Sequence, residues 1–351
     1  MTHLFYKDKP IIGIEISNTD IKVMSVDAKK WLVLGYGSLD LDPLRIKKSL
    51  EEDNDYLSTA IEALLKEHVI GELKSNYAVI SVPTAKSYTR TFDLPTSASD
   101  NLKDAVDVEV DQYIPIPSSA LYVDYNILEK DKNNITVLMS AINKNVVDKA
   151  ISAVNSANVQ AIMVEPSISS VGRMMSATEE GNLPSLIIDI GPANTDIAVV
   201  IDGSVRLNSS ISLGGNTFTL EIAKSLNISL SNAHQLKVLN GLNAGTRQTK
   251  ITNALKPTLD SILKEIQKVL RYYNERLNKD KKIEQLLIVG SGSNIPGIGE
   301  YFTNSLVMPA RVASPWQKLD FGDLPPPAKQ YRSRYITVAG LSIIKPGDIW
   351  K

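Results

Sequence analysis

Three short polar turns in this sequence carry residue types suited to holding phosphate. They are Glu15-Ile16-Ser17-Asn18, Asp189-Ile190-Gly191-Pro192-Ala193-Asn194-Thr195 and Gly290-Ser291-Gly292-Ser293-Asn294. Each follows a β-branched run, at residues 11–16, 185–190 and 283–289. Small residues after a strand expose backbone N–H groups that cradle an anion, and the missing side chain lets it approach closely. One such turn alone is equally well explained by a backbone that needs positive φ. Three in this order, two of them with a carboxylate, are far more specific.

Composition narrows the chemistry further. The 351 residues include no Cys and only three His (His3, His68 and His234), widely separated in sequence. A disulfide framework, a thiolate zinc or iron–sulfur site and a thiol nucleophile are thereby excluded, and a His-built metal site is not expected. With 38 Lys+Arg against 39 Asp+Glu, the net charge of −1 lacks the cationic surplus of a phosphate-neutralising nucleic-acid binder. The most apolar stretches, 186–190 and 197–201, are about a strand long and are bounded by Asp189 and Asp196, whereas a membrane span needs about 20 apolar residues. The first ten residues hold no apolar run of signal-peptide length, so a cytoplasmic protein is expected. Absence of Cys suits a reducing compartment.

The elements that must position these turns show a repeat. Residues 11–16 and 20–26 read as two strands joined by Ser17-Asn18-Thr19, a hairpin signal. Residues 185–190 and 195–201 read the same way, and in both hairpins an Asp-Ile pair follows the turn (Asp20-Ile21, Asp196-Ile197). The spacing predicts two similar halves with a period of about 175 residues. Helical periodicity falls at 55–67, 101–112, 146–157, 218–226, 232–241 and, longest, 258–279; strands are expected at 122–129, 135–142 and 283–289. The prolines in Tyr113-Ile114-Pro115-Ile116-Pro117 stop the second of these helices. Pro325, Pro326 and Pro327 mark a linker before a last apolar segment at 336–344. Strands alternating with helices give an α/β class.

At this point the sequence resembles the actin, sugar-kinase and chaperone ATPase superfamily, whose phosphate-1 hairpin, phosphate-2 hairpin and adenosine motif follow in this order. Within it the chain is similar to the PilM family of type IV pilus assembly proteins, which is related to the division protein FtsA. The most specific element is Glu109-Val110-Asp111-Gln112-Tyr113-Ile114-Pro115-Ile116-Pro117 followed by Val123-Asp124-Tyr125 and Ile127-Leu128. Val164-Glu165-Pro166 and the stretch to Met175 also match, as do residues 214–219, 265–273 and 290–297, so the resemblance runs from about Ile11 to Ile344.

The resemblance implies an actin-like, ribonuclease H-like two-domain ATPase fold with an inserted subdomain, binding ATP with Mg2+ in a cleft between the domains. Glu15 and Asp189 would face the metal. Ser17, Asn18, Thr19 and Lys22 would surround the β/γ phosphates from one side, and Gly191, Asn194 and Thr195 from the other. Gly214, Gly215 and Asn216, with Gly290, Ser291, Gly292 and Asn294, would close on the ribose and adenine, and Lys237 ends a nucleoside motif. Three positions depart from the family pattern: Glu15 replaces Asp, Ser17 replaces Gly, and His234 replaces Glu. No residue declares itself as the base that would align water for hydrolysis, and Glu109 and Asp111 read equally well as a solvated helix face. At most slow ATPase turnover is expected.

The implied boundaries are a first domain at 1–184, completed by 336–345 and carrying an insertion at about 84–162, a second domain at 185–325, and a linker, return and tail at 326–351. The implied function is a cytoplasmic scaffold peripheral to the inner membrane. It would recruit pilus components through the cytoplasmic tail of a PilN-like bitopic membrane protein, with pilus ATPases, the platform protein and self-association as further expected contacts. The alternatives are a self-anchoring FtsA-like division protein and a small-molecule kinase of the same superfamily. The tail at 345–351, broken by Pro346 and Gly347, is unlike the basic amphipathic helix that self-anchoring requires.

Overall fold

The computed structural model describes residues 11–243, 248–277 and 281–349; His3, the amino-terminal reading and the ends of the 258–279 helix and the tail lie outside these described residues. The chain divides into two compact units, one of residues 1–174, 316–326 and 337–351 and one of residues 175–315 and 327–336.

In the first unit, Ile- and Val-rich runs form β1 (Ile12–Ile16), β2 (Asp20–Asp27) and β3 (Leu32–Asp40), followed by β4 (Val69–Gly71) and β5 (Tyr77–Val82). With β9 (Gln160–Pro166) they make a six-stranded sheet in the order β4-β3-β2-β1-β5-β9. The β1/β2 and β2/β3 pairs are antiparallel, and β1/β5 and β5/β9 are parallel. Helices α1 (Pro43–Glu51), α2 (Tyr56–Glu67) and α4 (Lys144–Ser156) pack on it. Asp42 caps α1, its Oδ1 accepting from the amides of Leu44 (2.9 Å) and Arg45 (3.0 Å), which satisfies donors that a helix start leaves open. The buried positions of α2, Leu57, Ala60, Ile61 and Leu64, sit at the helical spacing the sequence displays and join Ile14, Ile16 and Val23 in one core.

Between β5 and β9 a separate small core forms. There β6 (Ser87–Pro95), β7 (Leu121–Lys130) and β8 (Asn134–Asn143) pair as β6-β8-β7, and α3 (Leu102–Tyr113) buries Val106 and Val110 against them. Helix α10 (Ile336–Ser342) accounts for the last apolar segment; its Ser342 Oγ donates to Met24 O at 2.8 Å, tying the returning chain to β2.

The second unit repeats the arrangement. Strands β10 (Ser185–Ile190), β11 (Thr195–Ile201), β12 (Ser204–Ile211), β13 (Gln285–Val289) and β14 (Ala310–Val312) run in the order β12-β11-β10-β13-β14. Its first two pairs are antiparallel and its last two parallel, as in β3-β2-β1-β5-β9. The register slips in the corresponding strand pair of each half, between Ser25 and Val26 in β2/β3 and between Val199 and Val200 in β11/β12. The repeat read from the two Asp-Ile hairpins is therefore a repeat of topology.

Helices α6 (Gly215–Leu226), α7 (Leu230–Leu239), α8 (Gln248–Tyr272) and α9 (Ile298–Leu306) complete this unit. Helix α8 starts ten residues before the expected 258 and carries Pro257 inside it. An interior proline costs about 3 kcal/mol. Burial of Ile251, Ala254 and Leu255, upstream of the proline, in the same core as Leu259, Ile262 and Ile266 offsets that cost. Among the described residues no helix is long and apolar enough to cross a membrane.

Candidate functional site

The first hairpin is held by charge. Glu15 and Lys22 are directly opposite in the antiparallel β1/β2 register, and Asp20, two residues before Lys22 on the same strand, faces the same side. Lys22 Nζ lies 2.6 Å from Asp20 Oδ1 and 3.3 Å from Glu15 Oε2. All three side chains are buried, with 4% (Lys22), 2% (Asp20) and 6% (Glu15) exposure. Lys22 is therefore enclosed between two carboxylates rather than open over the turn.

Ser17 closes the same turn. Its hydroxyl donates to Asp20 Oδ1 at 2.5 Å and accepts from the amides of Thr19 and Asp20 at 3.1 Å each. The Ser17 amide itself donates to Asp20 O at 3.0 Å. A hydroxyl thus fills the place the family gives to glycine, and it satisfies two amides of the turn from within. Asn18 and Thr19 sit half-buried at its tip.

The second hairpin is built differently. Asp189 and Asp196 are cross-strand partners, and Asp196 Oδ1 accepts from Ser210 Oγ of β12 at 2.5 Å. Thr195 is fully buried and its hydroxyl donates to Leu213 O at 2.7 Å, so it links the hairpin to the approach of α6. The turn is closed by the Gly191 amide donating to Asn194 O at 2.9 Å. Its carbonyls turn outward: Gly191 O accepts from the Gly215 amide and Pro192 O from the Asn216 amide, each at 2.9 Å. The first amides of α6 are consequently anchored on the turn.

Lys237, on α7, completes this group. Its ammonium donates to Gly215 O and Thr219 Oγ1, each at 2.8 Å, and the residue is 6% exposed. Both acceptors are neutral, and burial pushes its pKa from the usual 10.5 down to about 8. His234 stands one turn earlier on the same helix; burial first, and then the Lys237 charge, lower the imidazole pKa.

The third turn reaches the same place. A Cβ placed on Gly215 would stand 3.7 Å from Gly191 O, 3.7 Å from Lys237 Nζ and 3.8 Å from Gly292 Cα, so the two turns of the second unit and Lys237 meet at the start of α6. Gly290 has φ +85°, and a Cβ there would lie 2.1 Å from Asp189 Oδ1; only glycine fits. Ser291 begins the short turn, and Asn294 at its end is fixed through Nδ2, which donates to Gln330 O and Ser333 Oγ at 3.2 Å each.

In the second unit the structure thus gathers Asp189, Gly191, Asn194, Thr195, Gly214, Gly215, Asn216, Lys237, Gly290, Ser291, Gly292 and Asn294. In the first it gathers Glu15, Ser17, Asn18, Thr19 and Lys22. Sequence reasoning missed Asp20, read only as half of a repeated Asp-Ile pair, and Thr219, the hydroxyl that holds Lys237. The signal for Asp20 was present: i and i+2 on a strand share a face, and Lys22 is two residues on.

Comparison with known proteins places this architecture. The family model of type IV pilus assembly protein PilM matches residues 13–345. A chain of the PilM–PilN type IV pilus biogenesis complex superposes with a TM-score of 0.77 at 19% identity, over 96% of this chain and 98% of that one. MreB5 of Spiroplasma citri bound to ADP gives 0.52 at 13% identity, over 98% of each chain. Cell division protein FtsA of Neisseria meningitidis is 26% identical over 173 residues, 44% of this chain and 41% of that protein. The chain matches about two fifths of the length of FtsA relatives, 41% and 38% for the two from Neisseria and Borreliella. Neighbours of this kind fix an actin-like ATPase fold. With a matching family model over nearly its whole length, the chain belongs to the type IV pilus assembly protein PilM family.

Proposed function

We propose that this chain is an actin-like, ATP-binding scaffold of type IV pilus assembly that sits in the cytoplasm and reaches the inner membrane through the cytoplasmic tail of a PilN-like protein. The observation that carries the nucleotide part is a buried lysine with neutral partners at the start of α6, where two glycine-bearing turns of the second unit meet. Lys237 is a cation with no carboxylate within 4 Å among the described residues, its ammonium resting on the neutral oxygens of Gly215 and Thr219 beside the closely packed backbone of Gly214 and Gly292. The residues fit a nucleotide on these grounds. No three His, Cys, Asp or Glu side chains gather as a metal-ligand set among the described residues. Mg2+ with one or two carboxylates and phosphate oxygens needs no such set, and the candidate carboxylate is Glu15 within the first unit and Asp189 within the second. When bound, the metal would offset phosphate charge; the chain's own part is to hold Lys237 and the turn amides in place.

The partner part rests on family membership and on the PilM–PilN complex among its structural neighbours. The inserted segment between β5 and β9, which we assign as a subdomain of the first domain, supports it. There Val108 (57%), Tyr113 (52%) and Ile127 (50%) expose apolar surface suited to a peptide. Calorimetric titration of the chain with a synthetic PilN-type amino-terminal tail, with and without Mg·ATP, tests the reading. Saturable one-to-one binding supports it; absence of heat and of any mobility shift under both conditions refutes it.

A further inference from the structure

We propose that Asp20 is a positioning residue that holds Lys22 and the first turn in an internally paired state and so sets how tightly this chain takes a nucleotide phosphate. The inference rests on the nucleotide reading above. An ammonium has three donors and no acceptor. In the first hairpin Lys22 donates to the buried Asp20 Oδ1 at 2.6 Å and pairs by charge alone with the buried Glu15, whose Oε2 lies 3.3 Å away. Charge-assisted bonds of this kind are the strong ones, and burial strengthens them by removing competing water.

Lys22 is 4% exposed with its ammonium turned to Asp20 and Glu15, so it has to turn from Asp20 before it can reach a phosphate oxygen outside the hairpin. Asp20 also acts on the backbone. By accepting from Ser17 Oγ at 2.5 Å it orients that hydroxyl, whose other side takes the amides of Thr19 and Asp20. These are turn donors that an anion would otherwise use. One carboxylate thus occupies the cation and, through Ser17, two amides. Two negative groups beside the turn add repulsion to any incoming anion. Lys237 provides the contrast inside the same chain: its donors rest on a carbonyl and a hydroxyl, and no ion pair must break to free them.

Calorimetric titration of the full chain with Mg·ATP tests this. D20N keeps the size of the side chain and removes its charge. It should bind at least about tenfold more tightly than wild type, the factor carried by about 1.4 kcal/mol. D20E, which restores the carboxylate, should return toward wild-type affinity. In a K22Q background the gain from D20N should shrink to what relief of repulsion alone supplies, a coupling to Lys22 that a merely structural role for Asp20 does not produce. D20S gives the same comparison should D20N fail to fold. Wild-type binding with equal or weaker binding by D20N and D20S overturns the proposal and leaves the nucleotide reading standing. If neither wild type nor variant binds Mg·ATP, the nucleotide reading falls and takes this inference with it.

Discussion

The two hairpins share strand order, register slip and turn position, yet they distribute charge in opposite ways. In the first, an acid faces a base across the ladder, Glu15 against Lys22, with Asp20 as a second acid on the same face. In the second, an acid faces an acid, Asp189 against Asp196, and the cation of that unit comes from elsewhere, on α7. The first turn satisfies its amides with its own Ser17 hydroxyl. The second gives its carbonyls to α6 and sends its Thr195 hydroxyl out to Leu213. One backbone solution therefore supports a closed, internally paired turn and one docked on a helix beside a buried cation. Topology fixes where a site lies, and the placement of a few charges decides how ready each half is for an anion.

The sharpest test of that contrast is to remove each lysine. K22M leaves two buried carboxylates facing each other without their cation, which should cost about 3–5 kcal/mol in urea unfolding at pH 7. K237M removes a buried charge whose partners are neutral and should change stability by about 1 kcal/mol or less. Equal losses would erase the distinction between the two halves.

A second effect is the pH dependence of Lys237. Its pKa is lowered in the folded chain to about 8 from 10.5, so between those values the unfolded chain binds more protons. Stability from this group therefore rises as pH increases from about 8 to 10.5, and below pH 8 the full cost of burying the charge is present. The unfolding free energy of wild type relative to K237M should climb by about 3 kcal/mol across that window, since each pKa unit is worth about 1.4 kcal/mol. A flat difference would mean that Lys237 is not buried as a charge.

The smallest effects come from the hydroxyls. S17A removes a donor to Asp20 and the acceptor of two amides, and should cost about 2 kcal/mol. T195V loses a single bond to Leu213 O and should cost about 1 kcal/mol. Thermal unfolding of the two variants side by side checks the order; a reversal would place the tighter network in the second hairpin.

Much of this arrangement was legible in the sequence for physical reasons. The hairpins show because β-branched runs and small turn residues both leave local signatures, and α2 shows because its buried face repeats at the helical period. Helix α8 beyond Pro257 does not, since local rules stop a helix there and only burial of Ile251, Ala254 and Leu255 in a distant core carries it on. The enclosure of Lys22 is of the same kind. The sequence displays a lysine seven positions after an acid, but that its ammonium meets Glu15 and Asp20 follows from strand register, which sets side-chain partners across the ladder. The Lys237 setting needs α6 and α7 brought together across 18 residues of chain to Thr219, a contact no local pattern encodes.

The role given to the second unit is tested most directly by titrating wild type and K237M with Mg·ATP under identical conditions at pH 7. Lys237 is the buried cation at the start of α6, where two turns meet, so K237M should bind at least about tenfold more weakly while its urea midpoint stays near that of wild type. Unchanged affinity in a folded K237M would contradict the assignment of this cradle to the nucleotide.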